Sequence, residues 1–387
     1  MAFIIENLIL WRYIPEPGEI SVDIPKFPPI EYIAEGAFAG CTELEEVCLF
    51  DNRLRVICDG AFYGCTSLKK VHMPNSVEYI GANAFGGCAA LTEVTKTQHY
   101  VSDKAYEDCI LQNEKFISDK NACFGCGEYF DKCGIQKADI PEETVYIGVM
   151  AFYKCYDLAD VTIPSRTRYI CDEAFAYIEG QDALKIPDGV KYIGTDAFYG
   201  NTMKELYIPH SVKYIGKTAF GECRHLINAE LREGIQHIGE KAFVCCELLK
   251  NIYLPASLKY IGENVFAKCR SLEKINVDFE NAFFTSEDGV LFSKDKTVLI
   301  KYPEGKTDES YTIPDGVKKV GDYAFCRNKN LCKVKIPNSV TEIGKCAFET
   351  CTVLCEIIIP DSVEGISRGV FEGCDNLPAD MIPERLR

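Results

Sequence analysis

Cysteine dominates the reactive chemistry open to this 387-residue chain, which carries 21 thiols against five histidines, at positions 72, 99, 210, 225 and 237. Eleven of the thiols fall three residues after an aromatic residue in a regular series, among them Cys41, Cys65, Cys88, Cys223, Cys246, Cys269, Cys351 and Cys374. Stacked about 5 Å apart, neighbours in such a series come within reach of disulfide geometry. A continuous column is better explained by small buried thiols closing a tight turn, since a thiol packs as a compact hydrophobe with a weak S–H donor. The odd total and the lack of a signal peptide point to reduced thiols.

Cys123-Phe-Gly-Cys126, taken with Cys133 and Cys109, could begin a tetrahedral zinc site. Cys109 and Cys133 already belong to the regular series, however, and there is no second C-x-x-C pair. Gly365-Ile-Ser-Arg-Gly369 formally matches a nucleophile elbow. It overlies a recurring Val-x-x-Ile-Gly turn, with Ser367 where glycine usually stands, and no strand-turn-helix pattern surrounds it. No phosphate-binding glycine loop and no H-E-x-x-H motif occurs. The sequence predicts no catalytic residue, no cofactor, no metal ligand, and a protein that is not an enzyme.

Composition narrows the partners. Apolar residues at 47% and charged residues at 26% support a packed core and exclude intrinsic disorder. The net charge of -16 repels phosphate backbones and anionic bilayers, so nucleic acid is excluded as a partner. No apolar run approaches the roughly 20 residues that a spanning helix needs, which argues against integral membrane association. The apolar stretch Ala2 to Trp11 lacks a basic flank and carries Glu6 and Asn7, so it reads as a capping strand instead of a signal peptide. The chain as it stands shows neither an export signal nor an anchor, and a cytoplasmic location is the expectation.

The elements that position these residues repeat. Aromatic anchors recur from Phe38 through Phe62, Phe85, Phe198, Phe220 and Phe243 to Phe371, fourteen in all, with a single much longer interval between Phe266 and Phe325. Leucine follows six positions after the anchor. A short strand of alternating apolar residues, a proline and the Val-x-x-Ile-Gly turn then lead to the next anchor, as in Leu331-Cys-Lys-Val-Lys-Ile-Pro-Asn-Ser-Val-Thr-Glu-Ile-Gly-Lys-Cys-Ala-Phe348. A unit of about 23 residues is too short to bury its own apolar face, so stacking against neighbours must do it. Each proline closes a strand that it cannot continue.

This pattern resembles the BspA-type leucine-rich repeats of bacterial surface proteins. The resemblance implies an α/β-type repeat solenoid, curved, with a parallel β-sheet on its concave side and short strands and turns elsewhere. Gly289 to Tyr302 reads as two strands around a turn, predicting one projecting β-hairpin. The expected organisation is a capping segment over 1–29, a solenoid of about 14 repeats over 30–377 with the hairpin inserted near 278–313, and a tail over 378–387.

In such a stack a ligand meets the strand residues that point away from the core. Tyr207, Glu230, Tyr253 and Asn276 hold that position on successive repeats, and aromatic rings interleaved with hydrogen-bonding groups suit recognition. A second stripe, Tyr32, Tyr79, Tyr146, Tyr169, Tyr192, Tyr214 and Tyr260 with His237 in one gap, reads as a stacked ladder serving stability. The resulting expectation is a recognition scaffold for a protein partner. Carbohydrate binding through surface tyrosines is the alternative, with a glycan as ligand. The resemblance adds adhesion or host-protein contact at the cell surface, provided that an export signal exists.

Overall fold

The computed structural model describes residues 2–384 apart from 7–8, 26–27, 35, 50–52, 59, 75, 78, 82, 95–99, 102–122, 125–135, 180–182, 365 and 368. Two compact units make up the chain: residues 1–129 with 143–151 and 169–174, and residues 130–142 with 152–168 and 175–387. Both are parallel β-solenoid, as the repeat requires. The segments between strands are turns, and helical backbone among the described residues is confined to the C-terminal end, at the 3-10 turn Ala379–Met381.

Among the described residues the regular repeats contribute two short strands each. In the first unit, Ser21–Asp23, Glu46–Cys48, Lys70–His72 and Glu93–Val94 pair in parallel. The Val-x-x-Ile positions form a second ladder that includes Tyr32–Ile33, Val56–Ile57 and Tyr79–Ile80. An antiparallel pair, Ala2–Glu6 with Ile9–Ile14, leads into this ladder. In the second unit a five-stranded sheet runs through Ala183–Lys185, Glu205–Ile208, Asn228–Leu231, Asn251–Leu254 and Lys274–Val277. Alternation does what the sequence demands of it: Leu206 and Ile208 are buried while Glu205 and Tyr207 are exposed.

The anchors hold the stack together. Phe175, Phe198 and Phe220 are fully buried, with ring centroids 5.4 and 5.3 Å apart and planes within 4°. Their backbones are tied as well, since Phe198 N–H donates to Ala219 O at 2.8 Å and Phe220 N–H to Ala242 O at 2.8 Å. The glycine after Ile marks a close approach between repeats. A Cβ on Gly239 would lie 2.7 Å from the carbonyl carbon of Gly216, nearer than a real Cβ ever comes.

The cysteine column is structural and its chemistry is specific. The thiols of Cys65, Cys88, Cys223, Cys246, Cys269, Cys351 and Cys374 each donate to the carbonyl of the preceding repeat's anchor, at 3.0 to 3.3 Å. Asn201, three positions after Phe198, does the same work with its amide, donating to Phe175 O at 2.7 Å. Burial pushes the Cys223 thiol up to about 12, which keeps its donor proton in place. Cys155 departs from the expectation of fully reduced thiols, because it is disulfide-bonded.

The irregular segment between Phe266 and Phe325 also differs from expectation. Its two strands exist, Val290–Ser293 and Val298–Lys301, paired antiparallel, and Phe284–Glu287 adds a third. They do not project. Val290, Phe292, Leu299 and Tyr302 are completely buried in the core, and Val298–Lys301 pairs in parallel with Lys319–Val320 as the short strand of an ordinary repeat. Tyr302 is the missing anchor. It stacks 5.0 Å from Phe325, and its N–H donates to Ala324 O at 2.8 Å.

Candidate functional site

The four residues singled out from the sequence lie together on the exposed face of the second unit's five-stranded sheet. Tyr207 is in register with Glu230, and Tyr253 with Asn276. Tyr207 and Tyr253 are 37% and 47% exposed, unusual for rings of this size and decisive for their availability. Glu230 and Asn276 are exposed beside them. Around Tyr207, Glu230 and Tyr253 the face forms a shallow open groove of about 650 Å³, also lined by Glu205, Asn228 and Asp278.

Side chains in the groove hold one another in place. Arg232 lies with its guanidinium 5.2 Å from the centre of the Tyr207 ring, and its Nε donates to Glu230 at 2.8 Å. Tyr253 donates its hydroxyl proton to Asp278 at 2.6 Å, which together with burial pushes that hydroxyl up to about 12. Asn228 donates to Glu205 at 2.9 Å. The Glu233 carboxylate receives the backbone amides of Ala256 and Ser257 at 2.8 and 3.1 Å. Four carboxylates and a single guanidinium line the groove, so it is acidic.

Sequence reasoning missed Arg232 and Asp278. Both stand at the strand end where neighbouring repeats carry Pro209 and Pro255, so a polar residue replacing the strand-closing proline was the available signal.

The tyrosine stripe is not a surface. Tyr169, Tyr192 and Tyr214 are buried, and the rings stack: Tyr146 on Tyr169 at 4.8 Å in the first unit, and Tyr214 on His237 at 4.5 Å and His237 on Tyr260 at 4.4 Å in the second. His237 is 3% exposed, its Nδ1 has no hydrogen-bond partner, and burial lowers its pKa to about 3. It is a neutral rung of the ladder.

One cluster of chemistry-bearing side chains was not foreseen as a group. On the exposed face of the first unit's sheet, the donor atoms of Glu46, Cys48 and His72 lie within 4.8 Å of one another. His72 Nε2 is 2.9 Å from Glu46 Oε1. Asp23 is in register with Cys48 on the neighbouring strand. Of the cysteines considered for zinc from the sequence, Cys109, Cys126 and Cys133 lie outside the described residues, as does the Cys123 side chain. Gly365 and Arg368 of the formal nucleophile elbow are likewise outside them. Ile366 bridges in parallel to Ile343, which is where the Val-x-x-Ile alignment puts it. Among the described residues no helix is long and apolar enough to cross a membrane.

Comparison with known proteins accounts for this geometry. The family profile of the BspA type leucine rich repeat region matches residues 20–124, 127–200, 170–288 and 304–387, with six copies. No curated protein matches the sequence. Among solved structures, the pneumococcal vaccine antigen PcpA is 33% identical with a TM-score of 0.56, over 60% of this chain and 60% of its own. The chain therefore spans about 60% of that protein. A leucine-rich repeat protein from Bacteroides ovatus is 23% identical over 97% of this chain and 93% of its own, with a TM-score of 0.45. Period, anchor column, paired parallel ladders and profile agree, and the chain belongs to the BspA-type leucine-rich repeat family.

Proposed function

We propose that this protein is a non-enzymatic recognition scaffold, and that the groove around Tyr207, Glu230 and Tyr253, with Asn276 beside it on the same sheet face, binds a protein partner through a basic segment. The groove itself carries the reading: two half-exposed tyrosine rings flank an acidic strip on a rigid sheet. Rigid aromatic side chains supply contact area at low entropic cost, and a lysine or arginine of the partner gains both a carboxylate and a ring face. The likeness to a pneumococcal vaccine antigen supports a role in contact with host proteins at the cell surface, given export.

The test is an affinity capture from host-cell extracts with the full chain, followed by binding measurements on the recovered protein. The double variant Tyr207→Ala/Tyr253→Ala is expected to weaken binding at least tenfold, since hot-spot tyrosines at such surfaces contribute about 2 kcal/mol or more. Raised salt should slow association. An unchanged affinity in the double variant would place the partner elsewhere. The two exposed rings stand on strands separated by one intervening strand, and a glycan stacked across both is the second reading. Glycan-array binding lost in the same variant would support that second reading.

A further inference from the structure

We propose that Glu46, Cys48 and His72 bind a zinc ion on the exposed face of the first unit's sheet, with solvent in the fourth position. The residues come from two neighbouring strands, Glu46–Cys48 and Lys70–His72, whose register sets Cys48 beside His72. The imidazole, thiol and carboxylate donors of the three core ligands already lie within 4.8 Å of one another. Tetrahedral zinc with bonds of about 2.0 to 2.3 Å holds its ligand atoms about 3.6 Å apart, so side-chain rotation of about an ångström closes the site without moving the backbone.

The donor set selects the metal. Sulfur with imidazole and carboxylate suits zinc, whereas calcium and magnesium require oxygen ligands throughout. Half-exposed side chains leave an entry path: His72 and Glu46 are 36% and 43% exposed. Lys70, on the same strand as His72, is engaged by Glu93 at 2.9 Å. In the absence of metal, His72 and Glu46 pair with each other. Binding replaces that contact, and the thiol and imidazole surrender any proton on the coordinating atom to solvent. An ion here would staple these two strands to each other.

The experiment uses the full chain, stripped with chelator and titrated with zinc chloride by calorimetry and with cobalt chloride by absorption. One equivalent should bind, and cobalt should show tetrahedral d–d bands together with a thiolate-to-cobalt charge-transfer band. Cys48→Ser should abolish the charge-transfer band, and His72→Ala should weaken zinc at least tenfold, both with unchanged far-ultraviolet circular dichroism. Cys126→Ser should alter neither signal. Absence of saturable binding overturns the proposal. So does a charge-transfer band that survives Cys48→Ser, or that disappears with Cys126→Ser, because the metal would then sit on other thiols.

Discussion

His237 makes stability in the second unit depend on pH. It is a lone imidazole in a ladder of phenol rings, 3% exposed and stacked 4.5 Å from Tyr214 and 4.4 Å from Tyr260. Burial lowers its pKa from 6.5 to about 3. In the unfolded chain the imidazole takes up a proton below pH 6.5, while in the folded protein it stays neutral to about pH 3. Between these limits the unfolded state binds more protons, so stability is present above pH 6.5 and is lost progressively as pH falls toward 3. From those two values the loss attributable to this residue is on the order of 1 kcal/mol at pH 5.5 and about 3 kcal/mol at pH 4.5. His237→Tyr continues the ladder with the ring found on either side and removes the titration. Urea unfolding of both proteins at pH 7.5, 5.5 and 4.5 isolates the difference, since every other titrating group is common to them. The variant should gain on the parent by about those amounts as pH falls. Parallel stability profiles, differing by less than about 0.3 kcal/mol across the range, would show that His237 protonates in the folded state and refute its placement as a buried rung.

Two further substitutions test the assignment of columns. Phe198→Ala, which empties a fully buried anchor position, should cost about 3 to 5 kcal/mol, whereas Tyr207→Ala on the exposed face should cost under about 1 kcal/mol in the same denaturant assay; equal losses would reverse inside and outside. Tyr302→Ala should cost as much as an anchor phenylalanine, about 3 to 5 kcal/mol, and deleting 285–304 should abolish cooperative unfolding of the second unit, because Phe292, Leu299 and Tyr302 leave the core together. A deletion that melts like the parent would restore the picture of a projecting arm.

The sequence by itself determined the solenoid, because a repeat this short cannot bury its own leucines and phenylalanines and must stack to do so. It determined the facing of each strand as well. The alternation in Glu205-Leu206-Tyr207-Ile208 leaves Tyr207 outside for the same reason that it puts Leu206 inside, so the row of Tyr207, Glu230, Tyr253 and Asn276 was legible from alternation alone. The buried thiols were legible as a column, though their acceptor, the preceding anchor's carbonyl, emerges only from the stagger between repeats.

Tertiary structure decided what periodicity cannot express. Tyr302 lies one repeat length before Phe325, yet the strands preceding it lack the Val-x-x-Ile-Gly signature, and only the parallel pairing of Val298–Lys301 with Lys319–Val320 draws them into the stack. Arg232 and Asp278 line the groove from the position just after their strands, where neighbouring repeats carry Pro209 and Pro255. Glu46 and His72 belong to different repeats, and nothing in either neighbourhood marks them as partners. Lateral register between repeats, set by backbone hydrogen bonds and the fit of one anchor ring on the next, brings imidazole, thiol and carboxylate to one point on the sheet. A repeat states which residues face out, and the stacking of repeats states which of those meet.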